Sequence, residues 1–325
     1  MTLNKNIKII IKWVAVPVLA AWLFYSLYRQ VQAQPNLDKA IALIKQAPFG
    51  KNAWKFWLTI FLVFVNWGIE ARKWQLLIKP VQPMNFFTAF KAVLCGVTLS
   101  LNTPNRIGEY GGRVLFVKDG GRLQAVSLSI AGSMAQLIIT MLMGCGGLLF
   151  VLLNGADIGI TPFWVKIFLY GSLAATFITM IFFFRLSWLI KMIDKLPYSE
   201  KFSKYISVLE SFDAKILLRL LLLSAMRYIV FVLQYIFMLQ LMQVEQNWWQ
   251  GFWLVTLLFW IMAIIPSFAI AELGIRGKVS ERLFFYSTNT LGILAVTFGI
   301  WFINLFIPAL IGSLLILSIK IKKDK

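Results

Sequence analysis

The chain has 325 residues, 60% hydrophobic and only 14% charged; a soluble domain averages about 25% charged residues, so a soluble globular class is excluded. The formal charge of +19 sits mainly in short loops and at the ends, as the positive-inside rule describes. It therefore points to anionic phospholipid head groups as partners rather than to nucleic acid. Histidine is absent and the two cysteines, Cys95 and Cys145, lie in apolar segments, which excludes a disulfide framework or a zinc-type ligand set, and no cofactor is expected.

In chain order, Lys5 to Lys12 followed by an apolar run from Trp13 resembles a signal peptide, with Val31-Gln32-Ala33 as its cleavage site. The run is longer than a signal core and further spans follow. Ile7 to Tyr28 is therefore read as a first transmembrane helix entered from the cytoplasm. The second span, Trp54 to Ile69, ends in Glu70-Ala71-Arg72-Lys73-Trp74, a basic and aromatic interface anchor. Phe86 to Leu101 is short for a crossing, holds Lys91, and reads as a half-membrane, re-entrant segment. Leu123 to Leu153 and Phe163 to Phe184 are long spans joined by an outside loop that holds Asp157 and no basic residue. Arg185 to Arg219 carries seven basic residues and is placed inside. Ile216 to Leu241 leads out, and Gly251 to Ile265 returns and breaks at Pro266. Leu283 to Ile319 is too long for one span, and the lysines from Lys320 to Lys325 put the C-terminus inside. Two short helices meeting near Gly299 to Pro308 satisfy both facts. The expected fold is all-α, a polytopic bundle of about eight spans with one or two re-entrant or broken helices, in a single domain covering residues 1–325.

One string occurs twice in this oily chain. Glu109-x-Gly111-x-Arg113 and Glu272-x-Gly274-x-Arg276 share the pattern E-x-G-x-R, and each follows a proline, Pro104 or Pro266. A charge at the centre of a membrane helix costs about 2.5–3.5 kcal/mol on insertion scales, so these residues must pair or line a wet cavity. Glutamate followed by arginine at i,i+4 is the favoured order for a helical ion pair. The glycines Gly108, Gly111, Gly112 and Gly274 let the backbone approach a ligand or a neighbouring helix. Thr103-Pro104 suits a helix start, and helix starts at membrane depth attract anions. Broken helices at matching places in two halves mark a transporter's substrate site.

Candidate substrate-binding residues are therefore Pro104, Arg106, Gly108, Glu109, Gly111, Gly112, Arg113, Glu272, Gly274 and Arg276, with Arg227 inside an apolar span. Gln234 shares a face with Arg227. Gln136, Asn66 and Glu70 read as helix contacts, Trp248, Trp249 and Trp253 as an interfacial belt, and Gly144-Cys145-Gly146-Gly147 as close helix packing. The loop charges put both motifs on the cytoplasmic side, which argues against inverted repeats. A competing reading has the ion pairs merely locking helices together.

The segment Pro104 to Arg113 resembles the proline-glycine-glutamate-arginine signature of the lysylphosphatidylglycerol synthase transmembrane, flippase-like family. Pro266 to Gly274 is similar to its second glycine-glutamate signature, Asn304 to Gly312 to its last helix, and Glu70 to Trp74 to its early arginine-tryptophan step. Where family members often carry an acid-arginine pair after the first motif, this chain has Gly132-Ser133-Met134-Ala135-Gln136. The resemblance implies a multi-pass protein of the bacterial cytoplasmic membrane, with both termini cytoplasmic, that moves or presents lipids. The sequence ends at Lys325 without the family's soluble aminoacyltransferase domain, so aminoacyl transfer is not expected.

The expected function is that of a flippase-like transporter of an anionic or aminoacylated phospholipid, with no metal and no ATPase motif. The alternatives are a membrane-embedded transferase using Glu109 or Glu272 as base, or a non-transporting partner subunit of a lipid-modifying enzyme.

Overall fold

The computed structural model describes residues 25, 32, 37–101, 103, 106–155, 158–185, 208–209, 212–245, 247–266 and 269–323. Nearly all of the predicted first span lies outside these residues, as does Pro104. The described chain is helical throughout: α1 (Leu37–Gln46), α2 (Ala53–Ile78), α3 (Phe86–Ser100), α4 (Gly108–Val114), a 3-10 turn (Asp119–Gly121), α5 (Arg122–Asn154), α6 (Pro162–Phe184), α7 (Ala214–Leu241), α8 (Trp248–Ile264), α9 (Ala269–Leu283), α10 (Thr290–Trp301), a π turn (Phe302–Phe306) and α11 (Ile307–Lys323).

Four of these stretches are long and apolar enough to cross a membrane: Asp119–Asn154, Pro162–Phe184, Ala214–Leu241 and Thr290–Ser318. Their outward faces agree. On α6 a single stripe of Val165, Leu169, Ser172, Thr176 and Phe183 is buried, while Phe163, Tyr170, Phe177 and Ile178 stand exposed. In water such a surface would demand a partner; against lipid tails it needs none. The 26 residues of α2 give roughly 39 Å at 1.5 Å per residue, but the helix carries Lys55, Glu70, Arg72 and Lys73.

Two shorter pairs do not cross the bundle. Residue contacts fix which end each occupies. At the end where α2 starts, Lys55 Nζ donates to Gln240 Oε1 at 2.9 Å, so α2 and α7 run antiparallel. At that same end Asn289 Nδ2 donates to the Met242 carbonyl at 2.6 Å, the Tyr286 hydroxyl donates to the Glu245 carboxylate, and Arg282 Nε donates to the Ile158 carbonyl at 3.2 Å. The α8–α9 hairpin therefore leaves and returns to this end. At the other end, Gln82 Nε2 donates to the Phe116 carbonyl at 3.2 Å, and Lys118 N–H donates to Gln82 Oε1 at 3.0 Å. The α3–α4 hairpin opens there. With 15 residues in α3 and 17 in α8, these limbs reach roughly 22 and 25 Å, short of the roughly 30 Å hydrocarbon core.

The chain thus repeats one plan: a long helix, a helical hairpin with E-x-G-x-R on its second limb, and another long helix. In the first half these are α2, α3–α4 and α5; in the second, α7, α8–α9 and α10–α11. Each half's closing helix packs on the other half's hairpin. On α5, Gly144, Gly146 and Gly147 lie directly under Trp260, Trp253 and Thr256 of α8, the close packing expected of that glycine run. On α11, a Cβ at Gly312 would meet the Leu94 carbonyl oxygen of α3 at 2.2 Å, and Thr98 of α3 donates to the Ala309 carbonyl at 2.7 Å. Asparagine caps both first limbs: Asn85 accepts from Thr88 N–H at 2.8 Å, and Asn247 accepts from Trp249 N–H at 2.9 Å.

Two expectations need correction. The hairpins open at opposite ends of the bundle, so the halves are arranged as inverted repeats; charge in the short loops could not reveal that α8 turns back at Pro266. Residues 290–323 form one uninterrupted helix rather than two short ones. Pro308 lacks an N–H, and the turn before it widens to a π turn at Phe302–Phe306 instead of breaking.

Gly112, like Gly108, is expected to tolerate no side chain on α4. A Cβ at Gly112 would lie 2.3 Å from the Cys95 carbonyl oxygen and 2.4 Å from Gly96 Cα, backbone atoms that cannot yield. Gly112→Ala should cost about 1–3 kcal/mol, read as a lower thermal midpoint in detergent. Gly171→Ala, which faces open space, should leave the midpoint unchanged or raise it.

Candidate functional site: an arginine-rich cavity between two hairpins

The tips of the two hairpins meet. Arg106, in the turn before α4, donates from Nη2 to Glu272 at the start of α9, at 2.9 Å to Oε1 and 3.3 Å to Oε2. Glu272 also receives Arg276 Nη2 at 2.7 Å, the i,i+4 pair expected from the motif. Arg106 holds a left-handed backbone, φ 59°, uncommon for a residue with a side chain. Thr103 closes that turn by accepting the Gly108 N–H at 2.7 Å.

A second network lies on α2, α4 and α7. Glu70 is buried, and three cations converge on its carboxylate: Arg113 Nη2 at 2.7 Å, Lys73 Nζ at 2.8 Å and Arg227 Nη1 at 3.1 Å. Glu109 accepts from the same Nη2 of Arg113 as its i,i+4 partner. Arg227 Nε donates to Asn66 Oδ1 at 2.9 Å, and Asn66 Nδ2 donates to Asn304 Oδ1 on the π turn at 3.2 Å. Aromatic faces complete the enclosure, with Arg113 over Trp74 at 5.3 Å and Arg227 over Trp67 at 5.1 Å.

Between the networks is a cavity of about 350 Å³ lined by Arg106, Arg227, Glu272 and Arg276, with Trp67, Gln136, Tyr228, Tyr235, Trp301 and Asn304 among its polar and aromatic walls. The two ion-pair networks bring together five basic side chains and three carboxylates, so two positive charges remain uncompensated. On the wall four donors, Trp67 Nε1, Trp301 Nε1, the Tyr228 hydroxyl and Arg276 Nε, and one acceptor, Gln136 Oε1, are buried without a hydrogen-bond partner. An interior with spare positive charge and spare donors is electrostatically and sterically suited to an anion. Among the described residues there is no cluster of histidine, cysteine, aspartate or glutamate fit to hold a metal ion.

The sequence-predicted residues divide accordingly. Arg106, Arg227, Glu272 and Arg276 line the cavity. Glu109 and Arg113 sit behind it, joined to Arg227 through Glu70. Gly108 and Gly112 press against the α3 backbone and serve the hairpin's packing, while Gly111 is exposed and a Cβ there would meet only Leu99 Cδ1, at 3.7 Å; none of the three lines the cavity. Gly274 is buried on α9 and outside the lining set. Gln234 donates to the Thr59 carbonyl of α2 at 3.0 Å as a helix contact, whereas Gln136 lines the cavity.

The interface-anchor reading of Glu70 to Trp74 is overturned. Glu70, Lys73 and Trp74 are buried at 2%, 2% and 0%, and only Arg72 faces out. The signal was present as a stripe: Trp67, Glu70, Trp74 and Leu77 recur at three- and four-residue intervals along one helical face.

Replacing Glu70 by glutamine should be the most damaging neutralisation in the chain, because it removes a carboxylate shared by three cations and leaves Lys73 and Arg227 with none. A loss of about 3–5 kcal/mol is expected from breaking buried ion pairs, measured as thermal unfolding in detergent. Arg72→Gln, on the exposed face of the same helix, should change stability by less than about 0.5 kcal/mol.

No family model, curated protein or solved structure matches the chain.

Proposed function

We propose that the cavity receives the head group of an anionic phospholipid, which the chain moves or presents across a bacterial cytoplasmic membrane while the acyl tails remain in lipid. The observation that carries this reading is the meeting of two interrupted helical hairpins, from opposite ends of the bundle, at a cavity with an excess of arginine. Inverted hairpins that each reach only part-way give two alternative seals around one site, the arrangement that alternating access uses. The resemblance of Pro104 to Arg113 and of Pro266 to Gly274 to the flippase-like family points the same way.

In this reading the chain crosses the membrane six times, through the predicted first span, α2, α5, α6, α7 and the α10–α11 helix, with the two hairpins re-entrant. The end that carries Lys79, Lys118, Arg122, Arg185, Lys215 and Arg219, where α11 also ends, is cytoplasmic by the positive-inside rule. Both termini then lie inside. A transferase would need a carboxylate free to accept a proton, and Glu109 and Glu272 are each held by arginine, so transport is the better-supported reading.

Purified protein in liposomes should accelerate the transbilayer movement of fluorescent phosphatidylglycerol, read by quenching of outer-leaflet label. Arg276→Ala should slow it at least about tenfold, the effect of losing one charge-assisted contact of roughly 1.5–3 kcal/mol, with Arg72→Gln unaffected. Unchanged movement in Arg276→Ala, or none above empty liposomes in the wild type, would refute the proposal.

A further inference from the structure

The charge on the cavity wall bears on which anion fits. We infer that the cavity takes a phosphate monoester, the head of a lipid phosphate, in preference to a phosphodiester head; this rests on the transport reading above. Arg106, Arg227 and Arg276 share the wall with one carboxylate, Glu272, an excess of two positive charges. The same excess remains when the network around Glu70 is included. A phosphodiester carries one negative charge and two free oxygens. A phosphate monoester carries about −1.5 to −2 at pH 7 and three strong acceptor oxygens, so it neutralises the wall where a diester leaves one charge unmatched. Among the wall's unpartnered groups donors also outnumber acceptors, with Trp67, Trp301, Tyr228 and Arg276 against the single acceptor Gln136 Oε1.

The same wall selects against ammonium-bearing heads. Glu272 is held by Arg106 at 2.9 Å and by Arg276 at 2.7 Å, and the cavity offers no second carboxylate. A zwitterionic or aminoacylated head would bring its cation among three arginines. Phe231, Phe259, Met262 and Leu305 also line the cavity and give apolar surface for the glycerol and first acyl carbons of a lipid phosphate.

Isothermal titration of the full chain in detergent decides this, with dihexanoyl phosphatidic acid, dihexanoyl phosphatidylglycerol, dihexanoyl phosphatidylethanolamine and inorganic phosphate as probes. At pH 8 phosphatidic acid should bind at least about tenfold more tightly than phosphatidylglycerol, as an added charge-assisted contact implies. The gap should close to within about threefold at pH 5, below the monoester's second pKa near 6. Phosphatidylglycerol keeps its charge over that range and reports any titration of the protein itself. Arg276→Gln should abolish the preference and Arg276→Lys should retain part of it. If Arg276→Gln fails to fold, the pH dependence of the wild type still decides. Equal affinities at pH 8, with both weakened in Arg276→Gln, would overturn the monoester inference and leave the anionic-lipid reading standing. Tightest binding of phosphatidylethanolamine, or no binding of any lipid, would overturn both. Inorganic phosphate binding as tightly as phosphatidic acid would uphold the phosphate chemistry but overturn a lipid as its source.

Discussion

Placing charge inside an apolar bundle is the constraint from which the rest of this architecture follows. Each unpaired charge at the centre of a membrane helix costs a few kcal/mol, and eight charged side chains gather in and behind one cavity here. They persist because every one has an oppositely charged partner within hydrogen-bond distance. Those partners come from helices far apart in sequence. Arg106 of the first hairpin pairs with Glu272 of the second, and Glu70 of α2 gathers Arg113 of α4 and Arg227 of α7. The ion pairs therefore fix which helices meet as well as how the charge is held. Among the described residues, irregular backbone borders the cavity or its hairpins at the left-handed turn at Arg106, the break at Pro266 and the π turn before Pro308. Non-helical backbone at membrane depth is tolerated in such places because it is buried in protein or faces polar space.

The two halves share a plan but have diverged where it matters for charge. Asn66 and Arg227 occupy the same position counted from the starts of α2 and α7, and so do Trp74 and Tyr235. Trp74 faces Arg113, and Tyr235 accepts from Arg276 at 3.2 Å. Glu70 has no acidic counterpart, because Phe231 stands at the matching position on α7. Arg113 is consequently enclosed by two carboxylates, while Arg276 has one, which it shares with Arg106. Each network keeps one surplus positive charge, and Arg106, Arg227 and Arg276 bring that surplus to the cavity wall.

Much of this was legible in the sequence, and the failures have definite physical causes. The E-x-G-x-R spacing gave both i,i+4 ion pairs because helical geometry alone determines them. The break at Pro266 and the close packing at Gly144 to Gly147 follow from the chemistry of single residues. Glu70 reads correctly as a helix contact, but the burial of Lys73 and Trp74 is hidden because charges beside tryptophan at the end of an apolar run look the same whether they face head groups or a protein interior. Only the three-and-four spacing of Trp67, Glu70, Trp74 and Leu77 separates the two. The end at which the second hairpin opens depends on whether α8 crosses or turns back. A 17-residue apolar helix is compatible with either, and tertiary contacts such as Asn289 with Met242 settle it. Proline at 308 was read as a break between helices; a π turn absorbs the missing hydrogen bond at smaller cost to the helix.

The inverted arrangement of the hairpins is open to a direct measurement. Single cysteines replacing Lys118, after the first hairpin, and Phe285, after the second, both lie at exposed positions, whereas native Cys95 and Cys145 are buried and add little background. With a membrane-impermeant maleimide, the cysteine at 285 should label in intact cells and the cysteine at 118 only after permeabilisation. Labelling of both from the same side would contradict the inverted hairpins and the shared cavity between them.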